Sequence, residues 1–276
     1  MKNSASRSRT SKNKVLLTVA GFDPGGGAGI LLDVASFRHN GFQGAAVITS
    51  LTAQNTREIK DTFLPPPDFV WSQYRVLAED INVSGIKIGM LGSRKNILHV
   101  SGILSENQGI PKVVDPVFRS TSGTWLLEKK AVPEFMESIS EKTDLITPNI
   151  PEAALILGES INSIEEAGRA AFRIFHNWGI PCLIKGGHLA GKVRDILYDG
   201  ERFHQYEGQR IEKSVHGTGC FLSSSLLSML ATGMILEKAC AAAIEATRRA
   251  VAGAVSTGHG QHVISLLPGE TGGNRD

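Results

Sequence analysis

A chain of 276 residues, 41% apolar and 20% charged, is long enough to bury a large core and too apolar for a disordered protein. The net charge of +2 originates in the first fourteen positions, where Lys2, Arg7, Arg9, Lys12 and Lys14 stand without an acid. The remainder carries 24 basic against 27 acidic residues, which gives no hint of a basic nucleic-acid face on the folded body, and no nucleic-acid partner is expected. No apolar run approaches the roughly 20 residues of a membrane span and no secretory leader is recognisable, so the chain is expected to be cytoplasmic, with no membrane partner. Cys182, Cys220 and Cys240 lack metal-ligand spacing and are expected as reduced thiols. Ser-rich residues 1–14 and Gly-rich residues 268–276 are expected to be flexible tails flanking a single domain at 15–267.

Val15 to Ala20 forms a short apolar run that predicts a buried strand, and Ala28 to His39 predicts a helix closed by Asn40-Gly41. Ala45 to Leu51 predicts the next strand. A polar excursion from Thr56 to Phe63 then reaches Pro65-Pro66-Pro67 and is the candidate lid. A helix over about Asp68 to Glu79 leads to strands at Gly85 to Ile88, Lys112 to Val114, Leu145 to Thr147 and Cys182 to Ile184. Helices at about Pro151 to Leu157 and Ile164 to Trp178 fall between the later ones. This alternation predicts a parallel sheet in an α/β fold. Arg194 to Tyr198 and Arg202 to Tyr206 flank Asp199-Gly200-Glu201 and predict an antiparallel hairpin edge. Two helices close the chain, Gly217 to Leu230 and Leu236 to Ser256, the second with a core face of Cys240, Ile244, Thr247, Val251 and Ala254.

In open parallel sheets the ligand lies beyond the carboxyl ends of the strands. Candidate polar residues follow one strand after another there: Asp23, Gln54, Asp115, Asn149 and Lys185, with Met90 after a further strand. The turn His216-Gly217-Thr218-Gly219-Cys220 runs directly into an apolar helix, so its N–H groups suit a phosphoryl group in transfer. In that field the Cys220 thiolate is expected to be favoured, making Cys220 a candidate base toward a substrate hydroxyl; a buried cysteine after a loop is the other reading. Asn149 and Glu152 stand three apart at a helix start and fit either a capping box or a hydrated Mg²⁺ site. Lys185 leaves a buried strand beside two glycines, where an anion or a snorkelling stem would accommodate it. Gly25-Gly26-Gly27-Ala28-Gly29 matches neither a P-loop nor a dinucleotide fingerprint.

Seven segments carry a resemblance, in order: Gly21 to Asp33, Ile48 to Thr56, Lys87 to Leu91, Asp115-Pro116-Val117, Thr147 to Ala153, Lys185 to His188 and His216 to Cys220. Together they resemble the motifs of hydroxymethylpyrimidine and phosphomethylpyrimidine kinases of the ribokinase-like superfamily, over about Val15 to Gly260. The resemblance implies a three-layer αβα sandwich with a mostly parallel sheet and an antiparallel edge. It also implies an ATP- and Mg²⁺-dependent kinase in thiamin biosynthesis, and a homodimer. Ala28, Asp33, Thr52, Gln54 and Met90 would then bind the pyrimidine, the Gln54 carboxamide reading the amino-pyrimidine edge. An acid early in the first helix, such as Asp33, also fits a capping role. Lys185, Gly217, Gly219 and Cys220 would form the transfer centre. Asp115, Asn149, Glu152, Lys185 and Thr218 would serve ATP and Mg²⁺, with Glu152 toward the metal.

Two departures from the family pattern stand out. Phe118 to Thr124 differs from the usual loop, with Thr121 in place of a lysine and Arg119 as the nearby basic residue, which bears on phosphorylation of the monophosphate. Thr52 replaces a common valine. A pyridoxal or pyridoxine kinase is the enzymatic alternative, and a non-catalytic pyrimidine sensor the alternative of another class.

Overall fold

The computed structural model describes residues 14–120, 123–187 and 193–266. Expectations for residues 1–13 and 268–276, for Thr121 and for His188 fall outside the described residues.

The elements run β1 (Val15–Phe22), α1 (Gly29–His39), β2 (Gln43–Gln54), β3 (Ile59–Phe63), α2 (Pro67–Asp80), β4 (Val83–Ile88), α3 (Lys95–Glu106) and β5 (Lys112–Val114). They continue with α4 (Val132–Ile139), β6 (Leu145–Ile146), α5 (Ile150–Leu157), α6 (Ile164–Trp178), β7 (Cys182–Ile184), β8 (Val193–Tyr198) and β9 (Phe203–Gly208). The last are β10 (Val215–His216), α7 (Thr218–Ala231), α8 (Leu236–Ala252) and β11 (His262–Val263). One nine-stranded sheet has the order β3-β2-β1-β4-β5-β6-β7-β8-β9, and β10 and β11 form a small parallel pair of their own.

Successive residues of the central strands bury on opposite faces. Leu17, Val114, Ile146 and Ile184 enter one core with Val70, Val100, Phe135 and Ile174 of α2, α3, α4 and α6. Their neighbours Leu16, Val113, Leu145 and Leu183 enter a second with Phe37, Leu226 and Cys240 of α1, α7 and α8. A strand buried on both faces has no polar alternation to show, which is why these runs are continuously apolar. The result is the three-layer αβα sandwich, with β2, β1, β4, β5, β6 and β7 parallel.

Several expectations change. The segment from Thr56 to Phe63 is not an irregular excursion throughout, because Ile59–Phe63 returns antiparallel along β2. Antiparallel strands therefore flank both edges of the sheet, β3 at one and the β8–β9 hairpin at the other. The closing helix stops at Ala252 rather than Ser256, since Val255 leaves it to bridge Val263. The helices α3 and α4 carried no expectation although each buries an apolar face.

Candidate functional site

A cavity of about 330 Å³ opens where the carboxyl ends of β1, β2, β4, β5, β6 and β7 converge. After β1 the chain turns through Asp23, whose Oδ1 accepts from Gly25 N–H at 2.8 Å, and Ala28 lines the wall. Thr52 and Gln54 reach the cavity from β2 and Met90 from the turn after β4. The tip joining β2 to β3 borders it too, pinned where Gly260 N–H donates to Thr56 Oγ1 at 3.0 Å.

The amino end of α7 forms another wall. Gly217 has φ +82°, and a Cβ there would stand 1.9 Å from the Gly27 carbonyl oxygen, so glycine is required on both counts. Thr218, Gly219 and Cys220 follow as the first turn, their backbone N–H groups lacking intrahelical acceptors. Beside them Lys185 Nζ donates to Asp115 Oδ1 at 2.7 Å and lies 3.9 Å from Glu152 Oε2. A Cβ on Gly219 would come within 3.2 Å of Lys185 Nζ, so this glycine lets the helix approach the ammonium. Asp115 is 2% exposed. Burial would raise its pKa, but Lys185 and then Lys87 attract its charge and hold it below the usual carboxylate range. Asp115 is thus an anion partner of Lys185, in keeping with a lysine that needs negative charge where it leaves a buried strand.

Asn149 caps α5 in a full capping box: its Oδ1 accepts from Glu152 N–H at 2.9 Å, and Glu152 Oε2 accepts from Asn149 N–H at 2.8 Å. Both residues also line the cavity, so the capping and ligand readings do not exclude each other. Burial lifts the Glu152 carboxyl from 4.5 to about 7, against the opposing pull of Lys185.

Two expectations are corrected. Cys220 is not a resting thiolate: burial pushes its thiol up to about 11, outweighing Lys87 and the Gly29 N–H that favour the anion. Asp33 neither lines the cavity nor caps its helix. It is fully buried, and its carboxylate accepts from Thr18 Oγ1 (2.6 Å), Lys87 Nζ (2.6 Å) and Ser224 Oγ (2.8 Å).

Lys87 and His216 are site residues that sequence reasoning passed over. Lys87 borders the cavity although fully buried; burial opposes its charge, yet Asp33 raises its pKa above the ordinary lysine value. Its signal was a lysine inside the apolar strand Ile86-Lys87-Ile88. His216 Nε2 lies 3.0 Å from Gln54 Nε2 and 3.1 Å from Asp23 Oδ2. Its signal was its place at the head of the Gly-Thr-Gly turn. Arg119 lines the cavity with its guanidinium 4.4 Å over the Trp125 ring.

No described helix is long and apolar enough to cross a membrane, and the three cysteines are free.

The family model described as phosphomethylpyrimidine kinase matches residues 23–265. A hydroxymethylpyrimidine/phosphomethylpyrimidine kinase of Aquifex aeolicus is 40% identical over 255 residues, covering 91% of this chain and all of that protein. One of Rhizobium meliloti is 39% identical, covering 83% and 87%. Among solved structures, phosphomethylpyrimidine kinase from Clostridium difficile superposes with a TM-score of 0.76 at 34% identity, covering 87% of this chain and all of the other. Pyridoxal kinase from Staphylococcus aureus, in complex with pyridoxal, superposes with 0.85 at 26% identity, covering 92% and 94%.

Proposed function

The chain belongs to the phosphomethylpyrimidine kinase family, and on that premise we propose that it phosphorylates 4-amino-5-hydroxymethyl-2-methylpyrimidine and then its monophosphate, using ATP and Mg²⁺, for thiamin biosynthesis. One observation carries this reading: a single cavity is lined both by the Gln54 carboxamide and by Lys185 beside the amino end of α7. The first group suits a ring edge with donor and acceptor, the second a phosphoryl group in transfer.

In this reading Ala28, Thr52, Gln54 and Met90 seat the ring. Lys185 and the amides of Gly217, Thr218, Gly219 and Cys220 take up the negative charge of the moving phosphoryl group as it develops. The substrate hydroxyl oxygen bonds to the γ-phosphorus, and the bond from that phosphorus to the leaving oxygen of ADP breaks. The hydroxyl proton goes to the Cys220 sulfur. Because a thiol cannot accept it, the reactive form is the thiolate minority, which a loose transition state tolerates because the nucleophile needs little prior activation.

Glu152 and Asp115 would suit a hydrated Mg²⁺, since both are buried carboxyls that line the cavity and an ion that keeps most of its waters needs only one or two of them. When bound, the ion would neutralise phosphate charge. Asn149 holds Glu152 in place. Arg119, which lines the cavity, is a cation within it that could meet the phosphate of the monophosphate substrate. Residues 15–267 are taken as one cytoplasmic kinase domain. A homodimer is supported by the edge strand β3, which leaves Phe63 64% exposed beside exposed Leu64.

The test is phosphorus NMR with Mg-ATP and, in separate tubes, the pyrimidine alcohol, its monophosphate and pyridoxal. Conversion of both pyrimidines is the expected result; no turnover in any tube, with retained pyrimidine binding, would leave a sensor. The high structural likeness to pyridoxal kinase supports the second reading, which turnover of pyridoxal alone would establish.

A further inference from the structure

One ring nitrogen in the cavity has two claimants. His216 Nε2 lies 3.1 Å from Asp23 Oδ2 and 3.0 Å from the end of the Gln54 carboxamide. At its other end that carboxamide lies 3.3 Å from Thr52 Oγ1, which donates to the Phe22 carbonyl at 3.0 Å. Both His216 and Asp23 are mostly buried, with side chains 19% and 7% exposed, so their hydrogen bonds compete little with water.

Donor and acceptor capacity decides how these groups pair. An ionised carboxylate only accepts, so Asp23 requires a proton on His216 Nε2, whether the ring is neutral or charged. A bare Nε2 would set lone pair against lone pair at 3.1 Å. With Nε2–H donating, the Gln54 atom 3.0 Å away must be an acceptor, the carboxamide oxygen. The amide nitrogen then points to Thr52 Oγ1, whose single proton is committed to Phe22 and whose lone pairs are open. The two ends of a carboxamide are interchangeable in shape, and this arrangement satisfies every donor where the opposite one sets two N–H groups against each other. Gly27 permits it, since a Cβ at that position would stand 2.7 Å from the His216 ring.

We propose that Asp23 and His216 are positioning residues that lock the Gln54 carboxamide in one orientation and thereby set which hydrogen-bonding edge of a ring the cavity accepts. The proposal rests on the reading of Gln54 as the residue that meets the substrate ring. The chemical class selected is a heteroaromatic ring with an amino group beside an acceptor ring nitrogen. A 4-oxo analogue, with a carbonyl beside a ring N–H, presents the inverse pattern and is refused. Asp23 acts on the carboxamide through His216 by its Oδ2, while its Oδ1 holds the Gly25 N–H.

The test compares kcat/KM for the 4-amino substrate and the 4-oxo analogue in the wild-type protein and in His216→Phe, which keeps a ring but removes the donor. The wild-type preference for the amino ring is expected to fall about tenfold or more in the variant, through a lower KM for the oxo ring as well as a higher KM for the amino ring. His216→Gln, which restores an N–H at similar reach, is expected to recover part of the preference. Asp23→Asn, which no longer dictates where the proton resides, is a second route to the loss should His216→Phe not fold. A preference unchanged within twofold in an active variant, or an equal loss on both rings, overturns the proposal and leaves the kinase reading standing. Absence of turnover on either pyrimidine by the wild-type protein overturns both.

Discussion

Cys220 shows how two effects compete at a single residue. The helix end and Lys87 favour its thiolate, yet burial prevails and holds the thiol at about 11. Turnover limited by chemistry is therefore expected to rise about tenfold per pH unit from neutrality toward that value, the thiolate fraction being the reactive one. Cys220→Ser should lower kcat and remove this limb, and Cys220→Asp should flatten it; a flat wild-type profile in single-turnover measurements would rule out thiolate as the base. Glu152 offers a second pH test. Its pKa is raised from 4.5 to about 7, so between those values the folded state holds more proton than the unfolded one, and stability falls as pH rises across that window. Glu152→Gln keeps the capping geometry without the charge and should gain stability relative to wild type from pH 5 to 7, measured by urea denaturation without Mg²⁺. Of these two residues the position was legible in the sequence, whereas the sign of each pKa shift depended on how much protein surrounds the group.

At the scale of elements, the amino ends of α5 and α7 hold the site by different means. Asn149 caps α5 reciprocally with Glu152, so Asn149→Ala is expected to cost about 1 kcal/mol of stability and to raise KM for Mg-ATP. Denaturant melting and initial-rate kinetics measure the two effects separately. α7 begins without a side-chain cap, at a glycine in the left-handed region. Gly217→Ala must accommodate both φ +82° and a Cβ 1.9 Å from the Gly27 oxygen. It is expected to lower kcat/KM by about 100-fold through displaced amides, roughly the loss of one oxyanion donor; a fall below threefold would place those amides outside the reaction. The capping box was legible because its signal is local in sequence. β3 was missed because a five-residue strand, Ile59–Phe63, earns its structure from pairing with β2 rather than from its own pattern.

Across the whole molecule, Lys87 and Asp33 form a fully buried ion pair that joins β4 to α1, with Thr18 of β1 and Ser224 of α7 as further partners. It thus ties the sheet to the two helices that approach the cavity from one face. Lys87→Met is expected to destabilise the protein by about 3–5 kcal/mol, because Asp33 is left charged and unpaired. The double variant Asp33→Asn/Lys87→Met removes both charges and should recover most of that loss in thermal or denaturant unfolding. Equal destabilisation of the two variants would show that packing, rather than the unpaired charge, is responsible.

The sequence by itself determined the α/β class, the order of the central strands along the chain and the family, because apolar runs, turn glycines and contiguous motifs are local properties. It also placed Gln54, Asp115, Asn149 and Lys185 at strand ends, where a parallel sheet brings them to one cavity. Only the tertiary structure decided which charges meet. Asp33 turned inward to Lys87 rather than outward to a ligand, Lys185 took Asp115 as its partner, and His216 came between Asp23 and Gln54, 193 and 162 positions away along the chain. Partners that distant leave no spacing to read, and burial, which sets the protonation of Cys220 and Glu152, exists only once the layers have closed over them.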